Sequence, residues 1–206
     1  MVPPSDLLPP GPHVHDGLTI SFWRYVAPSS DEVPAPAVAG RMLGELHQVL
    51  RDYPGELPLF APPLGDIPRG LDRLERMPSV LPASDVALLR TIADRLLPAL
   101  RSIDAPLQPL HGDAHVYNLI PTAQGPMWND FEDTCRGSVA WDLSSLSDAD
   151  GQMLAAYPGA PSAEELALHR QVRLLHAVVW VFALLPEVDE WAAHVGPMLD
   201  AVRALA

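Results

Sequence analysis

The stretch from Pro109 to Leu143 decides the fold and reads PLHGDAHVYNLIPTAQGPMWNDFEDTCRGSVAWDL. Short apolar runs alternate in it with histidine, carboxylate and amide side chains. Leu119-Ile120 precede the polar segment Thr122–Gly125 and Met127-Trp128 follow it. The pattern predicts a short strand, a polar loop and a hairpin that turns at Thr122–Gly125 and returns through Met127 to Phe131. Because the open ends of a hairpin lie side by side, the residues near those ends should face one site.

Three polar side chains fall at that open end. Asn118 precedes the first strand and Asp130 lies near the end of the second. Asp113 stands five residues before Asn118, the spacing at which protein kinases place a catalytic aspartate and a metal-binding asparagine. Asp130-Phe131 then stands where those enzymes carry a second metal-binding aspartate, whose hard anionic oxygen suits Mg²⁺.

Three motifs in this order, HGDAHxxN from His111, DFED from Asp130 and WDL from Trp141, resemble the aminoglycoside phosphotransferase/choline kinase family. Each motif is weak by itself, but the ordered set is specific. The resemblance implies an α+β, mostly helical fold, the carboxy-terminal lobe of a protein-kinase-like fold with a small β-hairpin at the active site. It also implies ATP and Mg²⁺ as cofactors, Asp113 as the catalytic base, and Asn118 and Asp130 as metal ligands. The acceptor would be a hydroxyl of a small molecule, aminoglycoside-like or amino-alcohol-like.

The resemblance implies supporting roles for other residues of the stretch. His111, His115 and Asp142 would orient the catalytic loop, and for His115 a place near the phosphates stays open as an alternative. Glu132 and Asp133 are candidates for contacts with a substrate amine, although a solvated acidic end of the hairpin explains them equally well.

Upstream, β-branched and aromatic residues in GLTISFWRYV predict one strand from Gly17 to Val26. By the resemblance, this strand is the last of the amino-terminal lobe. It leads into the hinge, where backbone groups of Arg24, Tyr25 and Val26 would bind the adenine.

The chain departs from the family before Gly17. ATP-dependent kinases of this type carry a Gly-rich loop and a strand lysine, whereas the residues before Gly17 contain neither and all 13 basic residues of the chain are arginine. We therefore divide the chain into residues 1–28, a remnant of the amino-terminal lobe, and residues 29–206, the helical lobe. From residues 1–206 alone we expect weak ATP binding, negligible turnover, and homodimers formed through the exposed edge of strand 17–26.

Two alternatives from other classes remain open. The first is a non-catalytic kinase-like remnant that binds a ligand or partner, which the missing lysine favours and the complete set of Asp113, Asn118 and Asp130 disfavours. The second is a metal-dependent hydrolase with His111, Asp113 and His115 as ligands. That hydrolase leaves Asn118 without a role, and it would retain Zn²⁺ on purification.

Composition narrows the function further. The 206 residues are 48% hydrophobic and 19% charged, which is typical of one globular domain. The net charge of −13 argues against nucleic acid or an anionic membrane as partner. It is compatible with a cationic substrate, although solubility alone explains an acidic surface. The single Cys135, expected to be buried, and the absence of signal-peptide features in residues 1–12 favour a reducing, cytoplasmic location.

Periodicity and capping signals predict the remaining elements. Residues 1–12 should form a proline-rich connector, His47 should be a core histidine, and His169 and His176 should be helix residues without a catalytic role. The predicted elements are a helix from Pro36 to Leu50, a loop from Asp52 to Pro68, a short helix from Arg69 to Met77, a helix capped by Ser84 that Pro98 kinks or ends early, a helix from the capping box Ser162–Glu165 to Leu185, and a last helix from Val188 to Leu205 interrupted at Gly196-Pro197.

Overall fold

The computed structural model describes residues 1–9, 11–148, 150–184 and 195–205. Helices dominate these ranges and the strands are short, as the predicted α+β, mostly helical class requires. The helices are α1 (Pro36–Leu50), α2 (Ile67–Glu75), α3 (Ala83–Arg101), α4 (Gln152–Ala156), α5 (Ala163–Leu184) and α6 (Val195–Arg203). Among these described helices, none combines the length and the apolar character needed to cross a membrane.

The strands form three separate antiparallel pairs. They are β1 (His13–His15), β2 (Leu18–Ile20), β3 (Gln108–Leu110), β4 (Leu119–Ile120), β5 (Met127–Trp128) and β6 (Cys135–Gly137). β1 pairs with β2, β3 with β6, and β4 with β5. The β4–β5 pair confirms the predicted hairpin, whose turn is closed by a 3.0 Å hydrogen bond from the Gly125 N–H to the Thr122 carbonyl.

The amino-terminal strand is shorter than predicted. Instead of one strand over residues 17–26, only Leu18–Ile20 is a strand, and it pairs with β1 rather than standing alone. Residues 22–24 continue irregularly beside residues 3–5, where backbone hydrogen bonds link the two segments. Prolines in residues 1–12 lack the N–H group that a ladder needs, which explains why the pairing is interrupted.

Residues 1–12 are therefore more than a connector. The Val2 side chain is buried, and the Val2 N–H donates a 3.0 Å hydrogen bond to the Trp128 carbonyl of β5. This contact attaches the amino-terminal ribbon, residues 2–24, to the hairpin that carries Asp130.

Two hydrophobic cores meet at the central stretch. The main core lies among α2, α3, α5 and α6 and includes Leu110 and Trp141. The second core lies under α1 and includes Ala114 and Leu143. The loop between Leu110 and Ala114 thus crosses from one core to the other. Cys135 is fully buried in the main core, as expected.

Between α1 and α3 the predicted bounds need correction. α1 has the predicted bounds, but the loop predicted to reach Pro68 ends at a π-helical turn over Pro62–Asp66, which runs directly into α2 at Ile67. Prolines are tolerated there because the first N–H groups of a helix have no intrahelical partner.

The predicted start of α3 and the effect of Pro98 were wrong. α3 begins at Ala83 after Pro82, without a side-chain cap from Ser84, and it continues through Pro98 to Arg101. Proline removes one hydrogen bond from the last turn, whereas Leu100 beyond it is fully buried in the main core. The burial of that leucine outweighs the lost bond.

The start of α5 matches its predicted cap. The Ser162 hydroxyl accepts a 3.2 Å hydrogen bond from the Glu165 N–H, although the Glu165 carboxylate contacts the Ser138 hydroxyl instead of returning to the cap. The predicted helix end at Leu185 and the predicted start of the last helix at Val188 lie outside the described residues. Within the described residues, α6 runs without interruption through Gly196-Pro197.

Candidate functional site

A buried carboxylate, Asp142, holds the start of the site loop, residues 111–118. Its Oδ2 accepts hydrogen bonds from the His111 N–H and from His47 Nε2, both 2.9 Å long, and its Oδ1 accepts one of 2.9 Å from the Gly112 N–H. Burial alone would raise the pKa of Asp142, but the hydrogen bond from His47 and the charge of that imidazole hold it below its ordinary value. An ionised Asp142 therefore fixes the first two residues of the loop.

His47 reaches Asp142 because α1 lies close to α4. A Cβ atom added to Gly40 of α1 would stand 2.1 Å from the Met153 carbonyl oxygen, so only glycine permits this approach. The Tyr157 hydroxyl, just after α4, lies 2.9 Å from His47 Nδ1. His47 is the buried core histidine that the sequence predicts.

Gly112 is the point where the site loop turns. Its φ is +93°, and an added Cβ would lie 1.8 Å from the Asp133 carbonyl oxygen. The Trp141 indole N–H donates a 2.6 Å hydrogen bond to the Gly112 carbonyl. The loop backbone is therefore packed directly on the segment that carries Asp133, and no other residue fits at this position.

His111 is fully buried and acts within the loop. Its Nε2 donates a 2.9 Å hydrogen bond to the Asn129 carbonyl, and its Nδ1 lies 3.4 Å from the Asp113 N–H. The Phe131 ring lies 4.5 Å away between centroids, and burial lowers the pKa of His111. Both ring nitrogens face backbone groups, and no cluster of three metal-ligating His, Cys, Asp or Glu residues occurs in the described part of the chain. The hydrolase alternative therefore has no support.

Asp113 lies at the surface of a cavity with 39% of its side chain exposed. Its Oδ2 lies 3.2 Å from His115 Nε2 and 3.4 Å from Asn118 Nδ2, and its Oδ1 lies 3.3 Å from Arg173 Nη1. Burial would raise the pKa of Asp113, but the hydrogen bond from His115 and the charge of Arg173 bring it down to about 2. The group is therefore an ionised acceptor at neutral pH.

Asn118 and Asp130 offer oxygen atoms beside Asp113. The Asn118 amide nitrogen donates to the Asp113 carbonyl at 2.9 Å as well as to the Asp113 carboxylate, which leaves the amide oxygen for another ligand. The Asn129 N–H donates a 2.9 Å hydrogen bond to the Asn118 carbonyl, so Asp130 follows directly at the open end of the hairpin.

Asp130 is exposed and has a φ of +61°, a conformation that few residues other than glycine adopt. Such conformations cluster at functional sites, where the surrounding structure imposes them. An amide oxygen from Asn118 and a carboxylate from Asp130 fit Mg²⁺, which takes one or two protein oxygens and completes its shell with water and phosphate oxygens.

Asp130 and Glu132 separate two cavities. The larger, about 580 Å³, lies against α5, and the smaller, about 430 Å³, lies under the amino-terminal ribbon. The larger cavity is lined by acidic and basic groups (Asp66, Asp113, His115, Glu132, Asp133, Arg173 and His176) and by Tyr117 and Trp180. The smaller is lined by Val2, Ser21, Trp23, Asn129 and Phe131.

Both substrate candidates lie on the wall of the larger cavity. Glu132 is exposed, and Asp133 is half-buried. Burial, together with the negative charge of Asp113, raises the pKa of Asp133 to about 6. Asp66, which also lines this cavity, lies 3.4 Å from His176 Nε2, and this hydrogen bond lowers the pKa of Asp66.

Sequence reasoning missed Arg173 and placed His176 without a function. They lie one turn apart on α5 and both line the larger cavity. The available signal was the position of Arg173 and His176 at the border of the apolar second half of α5, where a buried cation requires partners. His169, by contrast, stays internal to the helix, with Nδ1 2.8 Å from the Glu165 carbonyl.

The predicted hinge residues are not among the residues that line either cavity. The Arg24 N–H is bonded to the Pro3 carbonyl, the Arg24 guanidinium pairs with Asp6 at 3.1 Å, and Tyr25 is 89% exposed. Val26 lines neither cavity. Adenine binding by Arg24, Tyr25 and Val26 stays a prediction.

The chain resembles known proteins in sequence and in fold. Residues 6–191 match the family described as the phosphotransferase enzyme family, APH. A choline/ethanolamine kinase family protein from Mesorhizobium loti is 21% identical, with 99% of this chain and 74% of that chain covered and a TM-score of 0.64. The choline kinase LicA from Streptococcus pneumoniae is 15% identical over 98% of this chain and 74% of that chain, with a TM-score of 0.64, and LicA has also been solved with AMP.

A Plasmodium vivax ethanolamine kinase is 16% identical, over 93% of this chain and 66% of its own, with a TM-score of 0.62. None of the curated proteins compared with the chain matches it. At these identities the solved structures establish a shared fold, whereas the family match covers nearly the whole sequence. The chain belongs to the phosphotransferase enzyme family.

Proposed function

We propose that the protein transfers the γ-phosphoryl group of ATP to a hydroxyl of a small molecule. The observation that carries this proposal is the Asp113 carboxylate, which is ionised, faces the larger cavity, and is bonded to the asparagine that would hold the metal. Phosphoryl transfer needs an acceptor for the hydroxyl proton and a positioned metal, with little covalent chemistry from the protein.

In this proposal the acceptor hydroxyl lies in the larger cavity and donates its hydrogen to Asp113. Asn118 and Asp130 would hold Mg²⁺, which, when bound, neutralises charge on the phosphates. Asp142 holds the site loop in position by accepting hydrogen bonds from the Gly112 and His111 N–H groups. The nucleotide would approach from the side of the smaller cavity, because Asp130 separates the two.

The walls of the larger cavity favour an acceptor that carries an ammonium group. Asp66, Glu132 and Asp133 supply carboxylates, and the rings of Tyr117 and Trp180 supply faces that attract cations. The net charge of −13 would also draw a cation toward the protein. Amino alcohols and aminosugars combine an ammonium group with a hydroxyl.

The test uses the full chain with millimolar Mg-ATP labelled in the γ-phosphate, so that slow turnover and weak nucleotide binding remain measurable. Choline, ethanolamine and kanamycin serve as acceptors, and glycerol serves as an acceptor without an ammonium group. We expect label on at least one amine and none with Asp113→Asn. If no acceptor is labelled, or if Asp113→Asn labels it equally, the proposal fails and a non-catalytic binding role is favoured.

A further inference from the structure

Arg173 of α5 is a buried cation at the centre of the site. Its side chain is 8% exposed, and its Nη2 donates to the Gly112 and Trp141 carbonyls, both at 3.2 Å. Its Nη1 donates to Asp113 Oδ1 at 3.3 Å, and its guanidinium carbon lies 3.7 Å from the centroid of a Trp141 ring. One side chain thus joins α5 to the turn of the site loop, to the segment before Asp142, and to the proposed base.

These contacts decide which oxygen of Asp113 is available. A carboxylate offers about four acceptor positions, two on each oxygen. On Oδ2 both are used, by His115 and by Asn118, whereas on Oδ1 only Arg173 is bonded. The remaining acceptor position of Asp113 therefore lies on Oδ1, the atom that Arg173 holds.

We propose that Arg173 is a positioning residue for phosphoryl transfer, which aims Oδ1 of Asp113 at the acceptor hydroxyl. This inference rests on the proposed function. Both Arg173 and Asp113 line the larger cavity, the space where the hydroxyl would lie. Three acceptors in fixed directions require the planar guanidinium, because a lysine ammonium is a compact point charge on a flexible stem.

The step itself balances without a further reactant. The hydroxyl oxygen forms a bond to the γ-phosphorus, and the bond from that phosphorus to the β,γ-bridging oxygen breaks, so ADP leaves with the electron pair. The hydroxyl proton moves to Asp113 Oδ1. The positive charge of Arg173 beside Oδ1 makes that oxygen a weak base. A weak base suits a loose transition state, in which the acceptor hydroxyl is oriented before its proton is removed.

Two substitutions of Arg173 and one control test the role. Arg173→Met keeps length and removes charge, Arg173→Lys keeps charge and loses the fork, and Arg170→Met changes an exposed arginine one turn earlier on α5. We expect Arg173→Met to lower kcat by about 100-fold, the effect of a misplaced reacting group. The KM for Mg-ATP should change less than about twofold, because the Arg173 guanidinium contacts neither Asn118 nor Asp130. Arg173→Lys should recover part of kcat, and Arg170→Met should match the wild type.

The pH dependence separates positioning from a merely structural role. Removing the cation raises the pKa of Asp113, by about 1 to 3 for the loss of a close opposite charge, so the acid limb of kcat/KM should move to higher pH in Arg173→Met. In Arg173→Lys, which keeps the charge but loses its fixed position, the acid limb should move by a smaller amount. Circular dichroism at the assay temperature identifies any variant that has unfolded.

A carboxyl titration gives a readout without turnover. Carbon-13 NMR of side-chain carboxyl groups, with the Asp113 signal assigned by its loss in Asp113→Asn, should show a higher pKa of Asp113 in folded Arg173→Met or, if that variant unfolds, a small increase in Arg173→Lys. A KM for Mg-ATP that rises as much as kcat falls in folded Arg173→Met overturns the inference. So does an active wild type whose Arg173→Met variant keeps kcat within about threefold, a result that leaves the proposed function intact. A wild type that phosphorylates no acceptor overturns both.

Discussion

At the scale of single residues, two carboxylates of the site respond to burial in opposite ways. Asp142 is fully buried yet ionised, because one imidazole and two backbone N–H groups donate to it. Asp133 is half-buried beside the negative charge of Asp113, and its pKa is raised to about 6. Asp142 holds the site loop in place, whereas the ionised form of Asp133 lowers the stability of the folded protein.

Asp133→Asn should therefore stabilise the protein at neutral and higher pH. Because the pKa of Asp133 is raised from 3.8 to about 6 on folding, the folded state binds this proton more tightly than the unfolded state. Protonated Asp133 therefore makes its full contribution to stability below about pH 4, and this contribution is lost as pH rises through about 6. After a discount for solvent screening of this half-buried group, the neutral amide should raise the free energy of unfolding by about 1–2 kcal/mol near pH 8 and hardly at all near pH 4. Urea denaturation at both pH values measures this, and equal effects at the two would contradict it.

Asp142→Asn should have the opposite effect. The amide keeps the shape but turns an N–H₂ group toward buried donors, so we expect a loss of about 3–5 kcal/mol near pH 7. Since the pKa of Asp142 is lowered on folding, its contribution is present above its ordinary value of 3.8 and is lost as pH falls through the folded pKa. The control is Asp148→Asn, where a half-buried carboxylate accepts the N–H groups of Met153 and Leu154. It should cost about 1 kcal/mol, and comparable losses from the two variants would be evidence against the special role of Asp142.

At the scale of elements, two turns with similar backbone geometry differ in the space around them. Gly112 has a φ of +93° and no room for a Cβ, whereas Gly125 has a φ of +104° and no atom within 4 Å of an added Cβ. We expect Gly125→Ala to cost about 1–2 kcal/mol, the price of a left-handed alanine alone. Gly112→Ala should cost more than about 3 kcal/mol and abolish phosphoryl transfer, because the loop must move away from Asp133. Thermal unfolding of both variants tests this, and similar melting temperatures would contradict it.

The elements also show what local sequence can predict. α1 was predicted with its bounds and the β4–β5 hairpin with its turn, because a helical period and a turn sequence are local signals, although β5 ends at Trp128 instead of the predicted Phe131. The prediction of one strand over residues 17–26 was wrong, because the length of that strand depends on a partner segment that is interrupted by prolines. Arg173 lies 60 residues from Asp113 in sequence. No local pattern reports that contact, whereas Asp113, Asn118 and Asp130 were found because a spaced motif carries them.

At the scale of the whole molecule, the amino-terminal ribbon exposes several apolar side chains. Leu7 is 88% exposed, Val14 76% and Leu18 66%. In the described chain β2 pairs on one edge only, with β1, and an unpaired edge favours pairing with a second copy. We expect homodimers by light scattering at micromolar concentration. Leu18→Lys should restore the monomer, while Val49→Lys, an exposed apolar position on α1, should not. A monomeric wild type would contradict this.

The central claim is that Asp113 receives the hydroxyl proton in a phosphoryl transfer supported by Asn118 and Asp130. The most direct measurement compares the wild type with Asp113→Ala, using γ-labelled Mg-ATP and the best acceptor from the panel, and determines Mg-nucleotide affinity by calorimetry on both proteins. The account predicts a rate at least about 100-fold lower, the scale of a lost general base, with nucleotide affinity unchanged. A variant that transfers the label within a few-fold of the wild-type rate would contradict it.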